Sequence, residues 1–133
     1  MTLESAFIFL VITVYHEARG EPALGQRNVV KVILNRAESK KWPVENIVFA
    51  RKQFSCWNSG LKDPSIWIKE IPTLINVSRN VVDGFHDWQA GDRLEGATHY
   101  FSIKGMAGNK PPYWSEKMKF ICEVGGHRFL REG

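Results

Sequence analysis

Cysteine is scarce in this 133-residue sequence, occurring only twice, at Cys56 and Cys122. Neither has a second cysteine two to four residues away, which excludes a structural zinc ribbon, and two are too few for a disulfide-built scaffold. The pair fits one disulfide in an oxidising compartment or two thiols in a reducing one. Long apolar runs are missing as well. The longest, Ala6 to Val14, is about half of the ~20 residues that a membrane span needs. Only Glu4, with no Lys or Arg, stands before it as a charged residue, so the basic region of a signal peptide is lacking. A buried core helix is therefore expected, with no membrane insertion and no signal peptide. Repeats, low-complexity stretches and linkers are absent too.

What is present fits one ordinary folded domain over residues 1–133. Hydrophobic residues make up 44% of the chain and glycine only 11 positions, which excludes disorder and collagen-like structure. The 18 Lys and Arg against 14 Asp and Glu give a net charge of +4. These cations are scattered, with Lys40-Lys41 and Arg51-Lys52 as the adjacent pairs, so no nucleic-acid stripe forms.

Apolar spacing predicts a first helix, capped by Thr2, with Phe7, Leu10, Val11 and Val14 on one face and Ile8 and Ile12 beside it. It should be surrounded on most sides and end near Arg19-Gly20. A second helix is expected from about Leu24 to Glu38, with Val29, Val30, Ile33, Leu34 and Ala37 inward and Arg27, Lys31 and Asn35 outward, ended by Pro43. A third fits Thr73 to Phe85, with Thr73 as cap and Gly84 near its end. From Gly91 onward short β-type runs are expected at Ala97–Phe101, Gly105–Asn109 and Pro111–Trp114, with a helix or strand over Glu116–Val124. The fold class is α+β, mainly α, a helical core with a small β or loop lobe and a cleft between them.

The densest polar cluster is Tyr15-His16-Glu17-Ala18-Arg19-Gly20-Glu21-Pro22. A carboxylate where an apolar helix emerges loses solvation, so its pKa rises and it can hold a proton near neutral pH, as a general acid must. Glu17 is that candidate. A charged helix end paired with Arg19 is the structural alternative.

That string, with Gly25-Gln26 and Val32-Ile33-Leu34-Asn35-Arg36, resembles the catalytic domain of the SleB-like cell wall hydrolases, a family that includes spore cortex-lytic enzymes and phage endolysins. Gln53-Phe54-Ser55, Gly96-Ala97-Thr98-His99-Tyr100-Phe101, Pro111-Pro112-Tyr113-Trp114 and Gly126-His127-Arg128-Phe129 keep the family order. The resemblance implies a lysozyme-like fold that cleaves the β-1,4 bond between N-acetylmuramic acid and N-acetylglucosamine, with Glu17 as catalytic acid. It implies lytic transglycosylation, which needs only that acid, ahead of hydrolysis as a muramidase, which adds a second carboxylate. Glu21, Asp87, Asp92 and Glu95 are the candidates for that second role, with Glu21 expected to be structural, holding its turn or pairing with Arg27. At motif positions, Gln53, Ser55 and Thr98 suit hydrogen bonding to sugar, and His99, Tyr100, Tyr113 and Trp114 suit lining and stacking. Phe54, Trp57 and Phe101 are expected in the core, and Trp42, Trp67 and Trp88 half-buried.

His16-Glu17 begins like a zinc-protease motif, but Gly20 stands where the second histidine belongs, so neither metal nor other cofactor is expected and a zinc amidase is the weaker alternative. His127 is expected to anchor the carboxyl-terminal segment. The expected partner is the peptidoglycan glycan strand, met by a monomer whose positive charge suits an anionic wall. The loop Gly91-Asp92-Arg93-Leu94-Glu95 departs from the family pattern. A bare catalytic domain without a leader resembles a phage endolysin, made in the host cytoplasm and released through a holin.

Overall fold

The computed structural model describes residues 3–49, 69–102, 104 and 110–132. Among these, α1 spans Leu3–Ala18, α2 Ala23–Lys40, α3 Val44–Phe49 and α4 Ile71–Gln89, followed by β1 His99–Ser102, β2 Met118–Val124 and β3 His127–Glu132. No helix among the described residues is long and apolar enough to cross a membrane.

In α1, Leu10, Val11, Val14 and Ala18 recur at helical spacing and are buried. The first turns differ from expectation. Phe7 and Ile8 remain 37% and 54% exposed and line an apolar cavity of about 530 Å³ that also meets Val82 and Phe85. The expected cap, Thr2, lies outside the described residues.

The surrounded helix is α2 instead. Val29, Val30, Val32 and Ile33 are fully buried, and, against expectation, Lys31 and Asn35 are buried with them. Each has the partners that burial demands. Lys31 Nζ lies 2.8 Å from Asp92 and 3.3 Å from Asp87. Asn35 donates to the carbonyls of Arg93 and Ala97, both at 2.8 Å, and accepts the Trp88 indole N–H at 2.9 Å. Of the three residues expected outside, only Arg27 is partly exposed, and it pairs with Asp87. Lys41, in the left-handed conformation (φ 56°), ends α2, with the Trp42 N–H bonded to the Ala37 carbonyl at 3.0 Å. Pro43 then opens the short helix α3, unforeseen in the sequence, by accepting the N–H of Asn46 at 3.1 Å.

Helices α2 and α4 run side by side and parallel, since hydrogen bonds join residues a nearly constant 54 and 53 positions apart, Gln26 with Asn80 and Asn35 with Trp88. Gly84 lies inside α4 rather than near its end, because the backbones touch there: a Cβ would come within 3.1 Å of the Arg27 carbonyl and of Val30 Cβ. Thr73 does not cap α4, which starts two residues earlier with Pro72 in its first turn.

The sheet is antiparallel in the order β1-β3-β2. Its register pairs Tyr100 with Phe129 and Ser102 with His127, and the fully buried Phe129 joins it to the helical core. β2 resolves the Glu116–Val124 alternative as strand, preceded by a 3-10 turn, Tyr113–Lys117, where a β-type run was expected. β3 was not foreseen. Phe101 is buried as expected, and Trp88 is half-buried, with the Arg93 guanidinium 3.8 Å over its ring. Trp42 is exposed beneath Lys40. The Gly105–Asn109 run, Phe54, Cys56, Trp57 and Trp67 lie outside the described residues.

Candidate active site

The last turn of α1 and the turn to α2 form one wall of a cavity of about 560 Å³ whose other wall includes Ser102, Lys104, Gly126 and His127. Glu17 and Glu21 both line it. Glu17 is half-buried. Burial raises its pKa above the ordinary carboxylate value, and the nearby charge of Arg36 only partly opposes this. The carboxyl therefore keeps its proton to higher pH than a solvated glutamate, which is the condition for a general acid.

Glu21 is occupied differently. Its two carboxylate oxygens accept the N–H of Gly126 at 3.2 and 3.1 Å. It thus ties the α1–α2 turn to the turn between β2 and β3. That strand turn needs Gly125 at φ 58°, where a Cβ would strike the Glu21 carboxylate and lie 2.8 Å from Pro22 Cδ. Glu21 therefore holds the turn and does not pair with Arg27, which is committed to Asp87.

His127 is 5% exposed, packs 5.0 Å from the Tyr100 ring, and has Nε2 3.7 Å from Glu21. Burial pushes its pKa down, against the pull of Glu21, which favours the neutral imidazole. It anchors β3 as expected and also walls the cavity. Arg36 reaches from α2 to donate from Nε to the Thr98 carbonyl at 2.5 Å.

The remaining sequence-marked residues fall into two groups. Tyr100 shares a sheet face with Ser102 and His127 and so stands beside the cavity. His99 and Phe101 point to the opposite face, where the Trp114 ring lies 5.4 and 5.9 Å from theirs. Thr98 Oγ1 is 2.9 Å from His99 Nδ1, and Tyr113 is 87% exposed. Burial and the charge of Arg36 hold the His99 pKa down. Gln53 and Ser55 lie outside the described residues.

Of the four second-carboxylate candidates, Glu21 alone lines the cavity of Glu17. Asp87 and Asp92 belong to the Lys31 cluster. Glu95 is exposed in a 3-10 turn at φ 52°. The sequence reading gave no role to Arg36 or Gln26, although both lie in the quoted motif blocks.

Residues 20–130 match the family model described as Cell Wall Hydrolase. The match begins three residues beyond Glu17. The chain is 34% identical over 120 residues to a spore cortex-lytic enzyme of Bacillus cereus, covering 89% of this chain and 41% of that protein. Against the spore cortex-lytic enzyme of Halalkalibacterium halodurans it is 36% identical over 118 residues, covering 87% and 32%. The chain thus spans about two-fifths or less of the length of these relatives. Among solved structures it is similar to the catalytic domain of the Bacillus cereus SleB protein, with TM-score 0.73 and 26% identity over 98% of this chain and 93% of that one. It is also similar to the catalytic domain of a germination-specific lytic transglycosylase, SleB from Bacillus anthracis, with TM-score 0.71 and 25% identity over 98% and 97%. The helical α+β fold expected from the sequence is therefore the fold of these catalytic domains, and the chain belongs to the cell wall hydrolase family.

Proposed function

We infer that this chain is a peptidoglycan glycosidase that opens the β-1,4 bond between N-acetylmuramic acid and N-acetylglucosamine as a lytic transglycosylase. One observation carries the reading: a half-buried carboxyl with a raised pKa stands in a cavity between the helical core and the sheet. The names of the relatives, spore cortex-lytic enzyme and lytic transglycosylase, support the substrate class.

Glu17 gives its proton to the glycosidic oxygen as the bond from muramic acid C1 breaks, and the electron pair leaves on the N-acetylglucosamine O4. The resulting carboxylate takes the proton of the muramic acid 6-hydroxyl as O6 bonds to C1. The product is a 1,6-anhydro sugar and Glu17 is restored. One carboxyl suffices, in keeping with the engagement of Asp87 and Asp92 elsewhere. Tyr100 is proposed to line the sugar site from β1. Thr98, His99, Tyr113 and Trp114, with Gln53 and Ser55, are proposed to hold the strand further along. The net charge of +4 supports attraction to the anionic wall.

Hydrolysis is the second reading, favoured by the presence of Glu21 in the same cavity, where it could serve as base for water. Mass spectrometry of digested peptidoglycan separates the two. Anhydro-muropeptides are expected, reducing muramic acid ends would move the assignment to hydrolysis, and free stem peptides would overturn both. Glu17→Gln is expected to form no product while remaining folded. Full turnover in that variant would remove Glu17 from its role.

A further inference from the structure

We propose that Gln26 is a positioning residue for Glu17, acting through the turn that follows α1. The proposal rests on Glu17 as the acid. Three backbone carbonyls converge at the end of α1, those of Ala18, Arg19 and Glu21, and Gln26 Nε2 lies 3.1, 3.5 and 3.3 Å from them. Only a donor fits there, since the amide oxygen in that place would face three oxygens. The orientation is fixed from the other side. Asn80 Nδ2 donates to Gln26 Oε1 at 2.8 Å, and Asn80 stands there because α2 and α4 touch at Gly84, one turn along α4.

Gln26 is 5% exposed, so little water can replace its amide. Residues 18–21 are thus gripped from below by Gln26 and from above by the Gly126 N–H on Glu21. Glu17 directly precedes the gripped segment. Its cavity does not include Gln26 among its lining residues; Gln26 and Asn80 line a neighbouring polar cavity, on the far side of Arg19 and Glu21. Any effect of Gln26 on turnover therefore passes through where the turn holds Glu17. A shift of about 1 Å at a reacting group can cost roughly 100-fold in rate.

The test uses the full chain and soluble glycan strands, with products counted by chromatography at a temperature where circular dichroism shows every variant folded. Gln26→Met keeps the length and removes the donors. Its kcat should fall by about 10- to 100-fold with KM within twofold of the parent. Asn80→Asp leaves Gln26 in place but sets a carboxylate against its Oε1, so in either orientation the amide oxygen meets an acceptor and the grip on the three carbonyls is weakened. That variant should lose kcat in the same direction, and the double variant should be no worse than Gln26→Met alone, because Asn80 acts through Gln26. A purely structural amide would lower the melting temperature and leave kcat unchanged in both single variants, which overturns the proposal. Should Gln26→Met fail to fold, Asn80→Asp decides alone. Glu17→Gln runs in parallel: if it turns over normally, the acid assignment and this proposal fall together, whereas an inert Glu17→Gln beside fully active Gln26→Met and Asn80→Asp removes only the positioning role.

Discussion

Helix α2 sets cations against carboxylates in two places, and the two settings shift those carboxylates in opposite directions. Lys31 bonds Asp92 and Asp87 directly. Its hydrogen bond holds Asp92 below the ordinary Asp value, and at Asp87 the bonds from Arg27 and Lys31 outweigh the upward push of burial. Arg36 instead gives its Nε to a backbone carbonyl and reaches Glu17 only through its charge, which burial outweighs. A cation near a carboxyl does not make it a spectator; a hydrogen bond to it does. The first cluster locks α4 and the following loop to α2, and the second setting lets Glu17 keep its proton to higher pH than a solvated glutamate.

The largest effect that tests this contrast is on stability at the Lys31 cluster. Asp87→Ala takes one partner from a buried lysine and should cost about 3 kcal/mol of unfolding free energy, at the low end for a broken buried pair because Asp92 remains. Lys31→Met, which removes the buried charge itself, should cost less. Urea unfolding of the two variants checks the order, and a reversed order would mean that the cluster is held by packing rather than by charge. The same carboxylates set an acid limb. Their folded pKa values lie below their unfolded ones, so their contribution is full above about pH 4 and is lost as pH falls through the folded values. Asp87→Ala should flatten that loss.

Next comes Gly84→Ala, which adds helix propensity worth up to about 1 kcal/mol but forces a methyl against the α2 backbone. A net destabilisation of about 1–2 kcal/mol is expected in thermal unfolding. The smallest effect has the opposite sign. Glu17 has a folded pKa above its unfolded one, so the parent protein loses stability as pH rises from the unfolded value through the folded one. Glu17→Gln cannot ionise and should melt higher than the parent, by a margin that widens with pH across that window and then levels off. A constant margin would mean that Glu17 is not held protonated by burial.

Much of the helical frame was legible because Leu10, Val14, Val29 and Ile33 repeat at helical spacing. Glu17 was legible because a charged residue ends an apolar run. The errors have a common cause. The polarity of Lys31 and Asn35 points them outward, yet their partners, Asp92, Arg93 and Ala97, lie about 60 residues away, beyond what local pattern encodes. β3 was missed although Gly125-Gly126 before an alternating His127-Arg128-Phe129 run is a hairpin signal. Gln26 and Arg36 stood in the quoted motif blocks, but what they bond depends on how α1, α4 and β1 are arranged around α2. The endolysin setting has no counterpart in the geometry, since a holin leaves no mark on a catalytic cavity.

The strand order has a consequence for biosynthesis. β3 comes latest in sequence of the three strands but lies between the other two, and β1 and β2 share no pairing of their own. A ribosome must therefore deliver the chain through Glu132 before this sheet can close, and Gly126 and His127 reach the cavity only with that closure. During translation the helices can gather first, while the cavity of Glu17 stays incomplete. No copy of the protein therefore carries the finished cavity of Glu17 before its chain is nearly complete.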